Sequence, residues 1–476
     1  MVILKVLFIE PPKDFWFVMG EYLPPPTAAI QLAAYLEAKR PNDEITVLDC
    51  QAERLDWGDV GTRIEKEDPH IVAVSSLSTC NAYTVIRTLD TAKKIAPDVF
   101  TITGGQHFTA LSESSLRQYP AIDAIARGEG EVTLVEVIDV LDEGRKFTDI
   151  PGLTFRHEDR VISNPDRPLL PDIDSLPMPG YHFVEQNLDR YHFKMMAGDM
   201  RYVIIEGSRG CTHDCNFCSQ CHFWGRRWRA KSGKRIAQEM EYVRERFGAE
   251  FVWLTDDNFA FGPRSKEMFD ELNQRNLGDQ LYWFVQARVD DVARNSEIIP
   301  EMRKSGNQWV LLGVESGDPE TLANYGKGTN PSQAHEAVKI LKENDIFAQA
   351  TLIIGNRKDT HESIAGLRRY VEDLDPDIAI HMILTPFPGT PLYEEADAKG
   401  WIEDRNWANY DMIHAVMPTE TLTTREVQEE LFLCYRSFFG KLSRQIGGVL
   451  SSNQFKRKTY RYMASQQLLR QLRGLI

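Results

Sequence analysis

The sequence predicts an α/β protein: a doubly wound parallel sheet, then a second array of strands and helices forming an incomplete barrel, then a helical carboxyl-terminal region. Three observations predict it. Across residues 1–143 a short β-branched run followed by a helical stretch recurs five times. The same rhythm returns over 201–396, with six strands. The final eighty residues lose the strands and read as helices, with TREVQEELFLCYRSFFGKL strongly amphipathic.

KVLFIEPP is the first strand, ending in a proline turn, and PTAAIQLAAYLEAKR is an amphipathic helix. EITVLDC, HIVAVSSLS and FTITGGQH are the next strands, with NAYTVIRTLDTAKKIA and SESSLRQY as helices. AIDAIARGEGE is a fifth strand with its turn, and VTLVEVIDVLDE closes a domain over 1–143. Residues 144–200 change texture: GLTFRHEDRVISNP reads as a hairpin across His157–Arg160, and LLPDIDSLPMPGYH as a proline-punctuated connector. From 201 to 396 the strands are RYVII, EFVWLTDDNF, LYWFVQARV, QWVLLGVES, FAQATLIIGN and IAIHMILTPFP. A helical domain with a basic tail is expected over 397–476.

Ligands of open sheets and barrels sit at the carboxyl ends of parallel strands. In the first array those ends hold Glu10-Pro11, Ser75 to Thr79, Gly104-Gly105-Gln106-His107 and Gly128-Glu129-Gly130-Glu131. None reads GxGxxG, so a dinucleotide site has no support. In the second array they hold Asp256-Asp257-Asn258, Arg288, Glu315, Gly355-Asn356 and Pro386 to Thr390.

The 476 residues suit two to four domains, and 42% hydrophobic content allows large cores. No apolar stretch is long enough to span a membrane. MVILKVLFIEPPKD lacks the charged start and cleavage site of a signal peptide and reads as a buried strand. Seven cysteines, four within 211–221, argue against a disulfide framework and for a reducing cytoplasm. The net charge of −15 is uneven: no acid follows Glu430, whereas nine cations do, among them Arg470 and Arg473. The acidic body argues against general nucleic-acid binding. The basic tail either docks an acidic partner or lies on the chain's own acidic face.

The sharpest motif follows the strand Tyr202–Ile205. After Gly-Ser-Arg-Gly come Cys211, Cys215 and Cys218, spaced C-x3-C-x2-C. Close thiolates select zinc or iron–sulfur clusters. A structural zinc site wants four ligands, and no second knuckle follows. Cys221 can be a ferredoxin-type fourth ligand or a thiol beside the site; one cluster would leave most of so long a chain unexplained, which favours the thiol.

This stretch resembles the signature of the radical S-adenosylmethionine superfamily, Cys-x3-Cys-x-aromatic-Cys, with Phe217 in the aromatic slot. The resemblance implies a partial (β/α)6 barrel and a 4Fe-4S cluster on Cys211, Cys215 and Cys218, with one iron open to S-adenosylmethionine. That cofactor presents an ammonium, a carboxylate and a ribose diol. By resemblance, Asp256, Asp257 and Asn258 replace the family's Gly-Gly-Glu beside the ammonium. Arg288 would take the carboxylate, Glu315 the ribose or amine, and Phe217 and Gly355 complete the implied set. The competing readings are a helix N-cap pair for Asp256 and Asp257 and a strand-end salt bridge for Glu315.

The loops of the first array, followed by the cysteine loop, resemble the flavodoxin-like Rossmann cobalamin domain of a subset of that superfamily. The implied contacts are Glu10, Pro11, Ser75, Ser76, Ser78, Thr79, Gly104, Gly105, Gln106, His107, Gly128, Glu129 and Glu131. Many cobalamin domains carry Asp-x-His-x-x-Gly; here Asp68-Pro69-His70 leads to Ala73, at the start of a strand. His70 is therefore structural, and the resemblance is to the radical subgroup that holds cobalt without a protein histidine. HFWGRRWRAKS mixes aromatics with Arg226, Arg227, Arg229 and Lys231, and either shields the cluster or lines a solvated loop.

The resemblance implies a methylase that methylates an unactivated carbon through methylcobalamin and a 5′-deoxyadenosyl radical. It would draw electrons from a flavodoxin- or ferredoxin-type donor. A protein substrate, such as a glutamine of methyl-coenzyme M reductase, would suit the basic tail. The Glu-Pro-Pro start and SRGCTHDCNFCSQ also resemble the anaerobic magnesium-protoporphyrin ester cyclase branch, which oxidises a porphyrin side chain. A non-catalytic iron–sulfur or cobalamin carrier is the alternative of another class.

Overall fold

The structure is a computed structural model that describes residues 3–13, 21–76 and 78–466. The described chain forms two compact units, one built mainly from Leu23–Arg190 and the other from Tyr191–Pro386 with the residues from Thr390 onward.

The first unit is one seven-stranded sheet. Its strands are β1 (Lys5–Glu10), β2 (Glu44–Asp49), β3 (Ile71–Ser76), β4 (Phe100–Gly105), β5 (Ala124–Ala126), β6 (Leu153–His157) and β7 (Arg160–Ser163). They lie in the order β2-β1-β3-β4-β5-β6-β7. The first five are parallel and the last two antiparallel. The expected hairpin, turning at Glu158 with φ 52°, thus extends the first sheet at its edge. In β1, Val6, Leu7, Phe8 and Ile9 are all 1–2% exposed. Such a continuous apolar run fits a strand covered on both faces.

Helices α1 (Thr27–Lys39), α2 (Trp57–Glu67), α3 (Ala82–Ile95), α4 (Gln106–Ala110) and α5 (Gly130–Glu143) accompany this sheet. Helix α2 was not anticipated from the sequence. Parallel strands need a crossover of this kind, and a capping box between Asp56 and Asp59 starts it. Gly61 within α2 meets only ordinary contact, since an added Cβ would lie 3.7 Å from the Ile95 side chain. Gly61→Ala should therefore raise stability by about 0.5–1 kcal/mol, read as a higher denaturant midpoint; an unchanged or lower midpoint would contradict it.

The second unit contains six parallel strands in chain order: β8 (Tyr202–Ile205), β9 (Phe251–Leu254), β10 (Tyr282–Arg288), β11 (Asn307–Glu315), β12 (Phe347–Ile354) and β13 (Ile378–Ile383). All eight residues of β12 are buried. Helices used below are α6 (Gly233–Phe247), α7 (Pro263–Gln274), α8 (Pro319–Asn324), α9 (His361–Leu374), α10 (Thr424–Phe439) and α11 (Leu442–Val449). Helix α6 starts where Ser232 accepts the Arg235 N–H and stops at Gly248, φ 67°. The carboxyl-terminal helices belong to this same unit. Phe455 packs on Phe251 and Tyr282. Three cations of the described basic tail lie on the chain's own acids: Lys441 pairs with Glu372, Arg444 with Asp375 and Lys456 with Asp377. Arg470 and Arg473 lie outside the described residues. Among the described residues no helix is long and apolar enough to cross a membrane.

One ion pair is wholly internal. Lys231 Nζ lies 2.8 Å from both carboxylate oxygens of Glu239, with the two side chains 1% and 0% exposed. Arg235 adds a third bond to Glu239. Lys231→Met strands a buried carboxylate and should cost about 3–5 kcal/mol, measured by chemical denaturation; a loss below 1 kcal/mol would show that Arg235 alone satisfies Glu239.

Candidate functional site

Strand β8 delivers the chain to Gly207, whose backbone passes so close to Asp256 that a Cβ would sit 2.4 Å from Oδ1. Ser208–Arg209 then pairs with Arg229–Ala230 as a two-stranded ribbon. The aromatic–basic segment thereby folds back over the cysteine loop. Arg229 lies over Trp224 and Arg264 over Trp228, at 5.4 and 5.6 Å from the ring centroids. Gly210, φ 84°, meets the Arg227 carbonyl, where a Cβ would be 2.0 Å away.

The loop between them is pinned from two sides. Asp257 Oδ2 accepts the Gly210 N–H at 2.8 Å. On the other side Asn216 donates its backbone N–H to Tyr325 and its amide to the Asn324 carbonyl, at 3.1 and 3.0 Å. Phe217 stands edge-on to Tyr325, centroids 5.1 Å apart. Gly326, φ 66°, allows the Asp214 carbonyl to approach. Cys215 is buried while Cys211 and Cys218 remain half-exposed. Three thiols spread along one loop suit a cluster, in which each binds its own iron.

Cys221 is turned away from that role. Its thiol donates to the carbonyls of Cys218 and Cys215, at 3.2 and 3.5 Å, and it is 1% exposed. Its hydrogen bond to Cys218 lowers the Cys218 thiol pKa and raises its own, which burial reinforces. Cys221 thus stays protonated.

The expected cofactor residues of the second unit divide by partner. Asp256, fully buried, pairs with Arg264 at 3.1 Å and leaves Oδ1 without a hydrogen bond. Asp257 is half-buried; burial pushes its carboxyl up to about 7, with the Gly210 N–H opposing and Cys218 and Asp256 adding to it. Neither caps α7, whose N-cap is Gly262 with Ser265. Asn258 accepts the Arg288 backbone N–H and donates to Asp291. Arg288 uses Nε on Asp290 and Nη2 on the Lys327 carbonyl, at 2.9 and 2.6 Å.

Glu315 adopts φ 64° where the β11–β12 register shifts. A non-glycine residue held there is over-determined by its surroundings. Its carboxylate binds Lys327 Nζ at 2.7 Å and takes only a long bond, 3.4 Å, from Thr351. Burial alone would lower the Lys327 pKa, but Glu315 outweighs it and the net shift is upward. Gly355, φ 84°, is held by Asp359, which accepts N–H bonds from Gly355 and Asn356.

In the first unit, the order β2-β1-β3 makes the carboxyl ends of β1 and β3 the switch point of the sheet. Ser75 and Ser76 sit opposite Gly104 and Gly105, and Gly104 opposite Ala126, so all four expected loops reach one edge. Half-exposed on it are Glu10, Ser75, Ser78, Gly104, Gly105, Gln106 and Gly128. Gly105 has φ 98°, and a Cβ there would lie 2.0 Å from the Ser76 carbonyl oxygen; at Gly128 a Cβ would meet nothing. Edge residues this small leave a cradle that a flat macrocycle can fill. Pro11, Ser76, Thr79, His107, Glu129 and Glu131 are buried behind it. Ser76 donates to the Ser78 carbonyl, and Glu129 accepts the Leu170 N–H. His70 lies at the opposite edge, where Nδ1 accepts the Lys5 N–H.

Burial pushes His107 down to about 4, so it is neutral at pH 7. A lowered folded pKa gives stability that is complete above about pH 6.5, the unfolded value, and lost as pH falls toward 4. His107→Leu should flatten the fall in denaturant midpoint between pH 7 and 5 in cofactor-free protein; an identical slope would refute this.

Sequence reasoning missed Lys327, Asp290, Thr351 and Arg264. The signal for Lys327 was Gly326-Lys327-Gly328, a cation between two glycines, both with positive φ.

These features define a cobalamin-binding radical S-adenosylmethionine enzyme. A radical SAM superfamily model matches residues 205–371, and a B12 binding domain model matches 19–138. An uncharacterized methyltransferase of Pyrococcus horikoshii is 32% identical over 92% of this chain and 93% of its own length. The anaerobic magnesium-protoporphyrin IX monomethyl ester cyclase of Rubrivivax gelatinosus is 30% identical, covering 92% of this chain and 77% of its own. The solved structure of a radical S-adenosylmethionine methyltransferase from Kitasatospora setae, with cobalamin and a 4Fe-4S cluster bound, shares the fold at TM-score 0.72 and 17% identity over both full lengths. The chain therefore belongs to the cobalamin-binding radical S-adenosylmethionine family. Its cofactors are a 4Fe-4S cluster, S-adenosylmethionine and cobalamin, and its chemistry needs an external reductant.

Proposed function

We propose that this protein is a radical C-methyltransferase acting on an unactivated carbon, with Cys211, Cys215 and Cys218 as the cluster ligands. One observation carries the ligand assignment: the fourth nearby thiol, Cys221, is spent on backbone carbonyls, so the loop offers three sulfurs. When bound, the three cofactors together supply a carbon radical and a transferable methyl group. The chain's own residues bind and orient them. Asp257 is the acceptor for an ammonium, with the wholly buried Asp256 held on Arg264 rather than open to it, and Arg288, whose Nη1 has no hydrogen bond among the described residues, is the donor for a carboxylate. Glu315 keeps an oxygen for a hydroxyl, held in place by Lys327. Phe217 and Gly355 border the same strand ends. The small-residue edge from Glu10 to Gly128 would carry the corrinoid, with Gln106 at its rim and His107, Glu129 and Glu131 supporting from behind.

A protein substrate such as a glutamine of methyl-coenzyme M reductase draws no support from Lys441, Arg444 and Lys456 of the described tail, which are matched by Glu372, Asp375 and Asp377. The similarity to the ester cyclase supports oxidative cyclisation as the second reading. The two separate in anaerobic assays with candidate substrates. Methylation yields S-adenosylhomocysteine together with 5′-deoxyadenosine; cyclisation yields 5′-deoxyadenosine without it. Reconstituted protein that makes neither would leave a carrier.

A further inference from the structure

Helix α11 presents the wrong face to solvent. Leu442 and Ile446, with Leu450 just past its last residue, are four apart and share one side. They are 69%, 50% and 73% exposed, and among the described residues three of the four most exposed large apolar side chains are these. A lone exposed leucine needs no explanation, whereas aliphatics aligned on one helix mark an interaction surface.

The opposite side of the helix turns inward. Arg444 donates to the Pro376 carbonyl at 3.0 Å, pairs with Asp375 at 2.9 Å, and lies over the Phe438 ring of α10. Four residues on, an added Cβ at Gly448 would fall 2.2 Å from the Tyr460 ring of helix α12 (Gln454–Gln466). Helix α11 therefore packs through an arginine and a glycine and turns its aliphatics outward. A surface helix that serves only its own core does the reverse.

Charge indicates what covers this face. From Leu431 to Ile476 there is no Asp or Glu, against nine cations. Two of these stand at the ends of α11. Lys441 immediately precedes Leu442, and Arg457 Nη1 donates to the Ser451 and Ser452 carbonyls at 2.6 and 3.2 Å. The acids around the helix are already matched: Glu372 by Lys441, Asp375 by Lys342 and Arg444, Asp377 by Lys456 and Asp345 by Arg303. A second copy seated on the same patch would set these cations against themselves. Residues beyond 466 bring like charge too, with Arg470, Arg473 and no acid. Aliphatics flanked by cations fit the boundary between anionic headgroups and acyl chains.

We propose that α11 docks this protein on an anionic lipid surface, with Leu442, Ile446 and Leu450 entering the acyl boundary and Lys441 and Arg457 meeting headgroups. The helix lies on the surface. Its eight residues reach about 12 Å, well short of the roughly 30 Å hydrocarbon core.

The test cosediments the reconstituted full chain with vesicles of mixed phosphatidylglycerol and phosphatidylcholine, and separately with phosphatidylcholine alone. Wild-type protein should partition onto the anionic vesicles, bind the neutral ones more weakly, and come off the anionic ones as salt rises. The triple variant Leu442→Gln, Ile446→Gln, Leu450→Gln should lower that partitioning about tenfold or more, with 5′-deoxyadenosine formation unchanged. Absence of vesicle binding by the wild type, or equal binding by the triple variant, overturns the proposal. Equal binding to neutral and anionic vesicles overturns the role of charge. A lipid-free dimer in analytical ultracentrifugation that the triple variant abolishes would assign the face to a second copy instead.

Discussion

Cys215→Ala, reconstituted anaerobically with iron and sulfide, should lack the brown charge-transfer absorbance of a 4Fe-4S cluster and make no detectable 5′-deoxyadenosine. Three thiolates on four irons leave one iron open, so removing one leaves two irons without protein ligands. Cys215 is also the most buried of the three, 7% exposed. A water or buffer thiol therefore has the least room to substitute for it. The paired variant Cys221→Ala gives the contrast. It removes two thiol hydrogen bonds to backbone carbonyls and should leave iron content and S-adenosylmethionine cleavage near wild type. The loop itself should persist in both, because Asp257, Tyr325 and Asn324 hold it through backbone groups. A Cys215→Ala protein that keeps cluster and cleavage would mean that Cys221 can serve as a ligand.

What the sequence shows and what it hides follow from the range of the interactions involved. The strands of both sheets were legible because each is a local run of apolar or β-branched residues, as in Phe347–Ile354. The cysteine loop was legible because its ligands lie within eight consecutive positions. Helix Trp57–Glu67 was overlooked because its buried residues are only Val60, Gly61 and Ile64, too sparse a stripe to stand out, although Asp56 and Asp59 marked its start. The Glu315–Lys327 pair was hidden for a different reason. It depends on a positive φ at Glu315, and on Gly313, where a Cβ would lie 2.7 Å from the ammonium. Neither is a property of the residue types alone. The competing N-cap reading of Asp256 and Asp257 failed because the chain runs on to Gly262 before the helix starts. One aspartate was recruited instead by Arg264 and the other by Gly210.

Gly105→Ala should reduce cobalamin bound per chain from near stoichiometric to below about a tenth, while the iron content of the second unit stays unchanged. Two effects coincide at this residue. Its φ of 98° lies where an L side chain is strained, at about 1–2 kcal/mol. Its Cβ would also fall 2.0 Å from the Ser76 carbonyl oxygen, which is backbone and cannot rotate aside. The β4 end must then separate from the β3 end, and these are the two strand ends that Ser75 pairing with Gly104 brings to the switch point. Gly128→Ala isolates the first effect. Gly128 also has positive φ, 71°, but its Cβ would meet no atom within 4 Å, so this variant carries the strain without the collision. It should lose about 1 kcal/mol of stability and retain most of its corrinoid, measured by absorbance after gel filtration. Equal retention by the two variants would show that the cradle does not depend on the close approach of Gly105 to Ser76. The corrinoid would then have to be sought away from this strand edge.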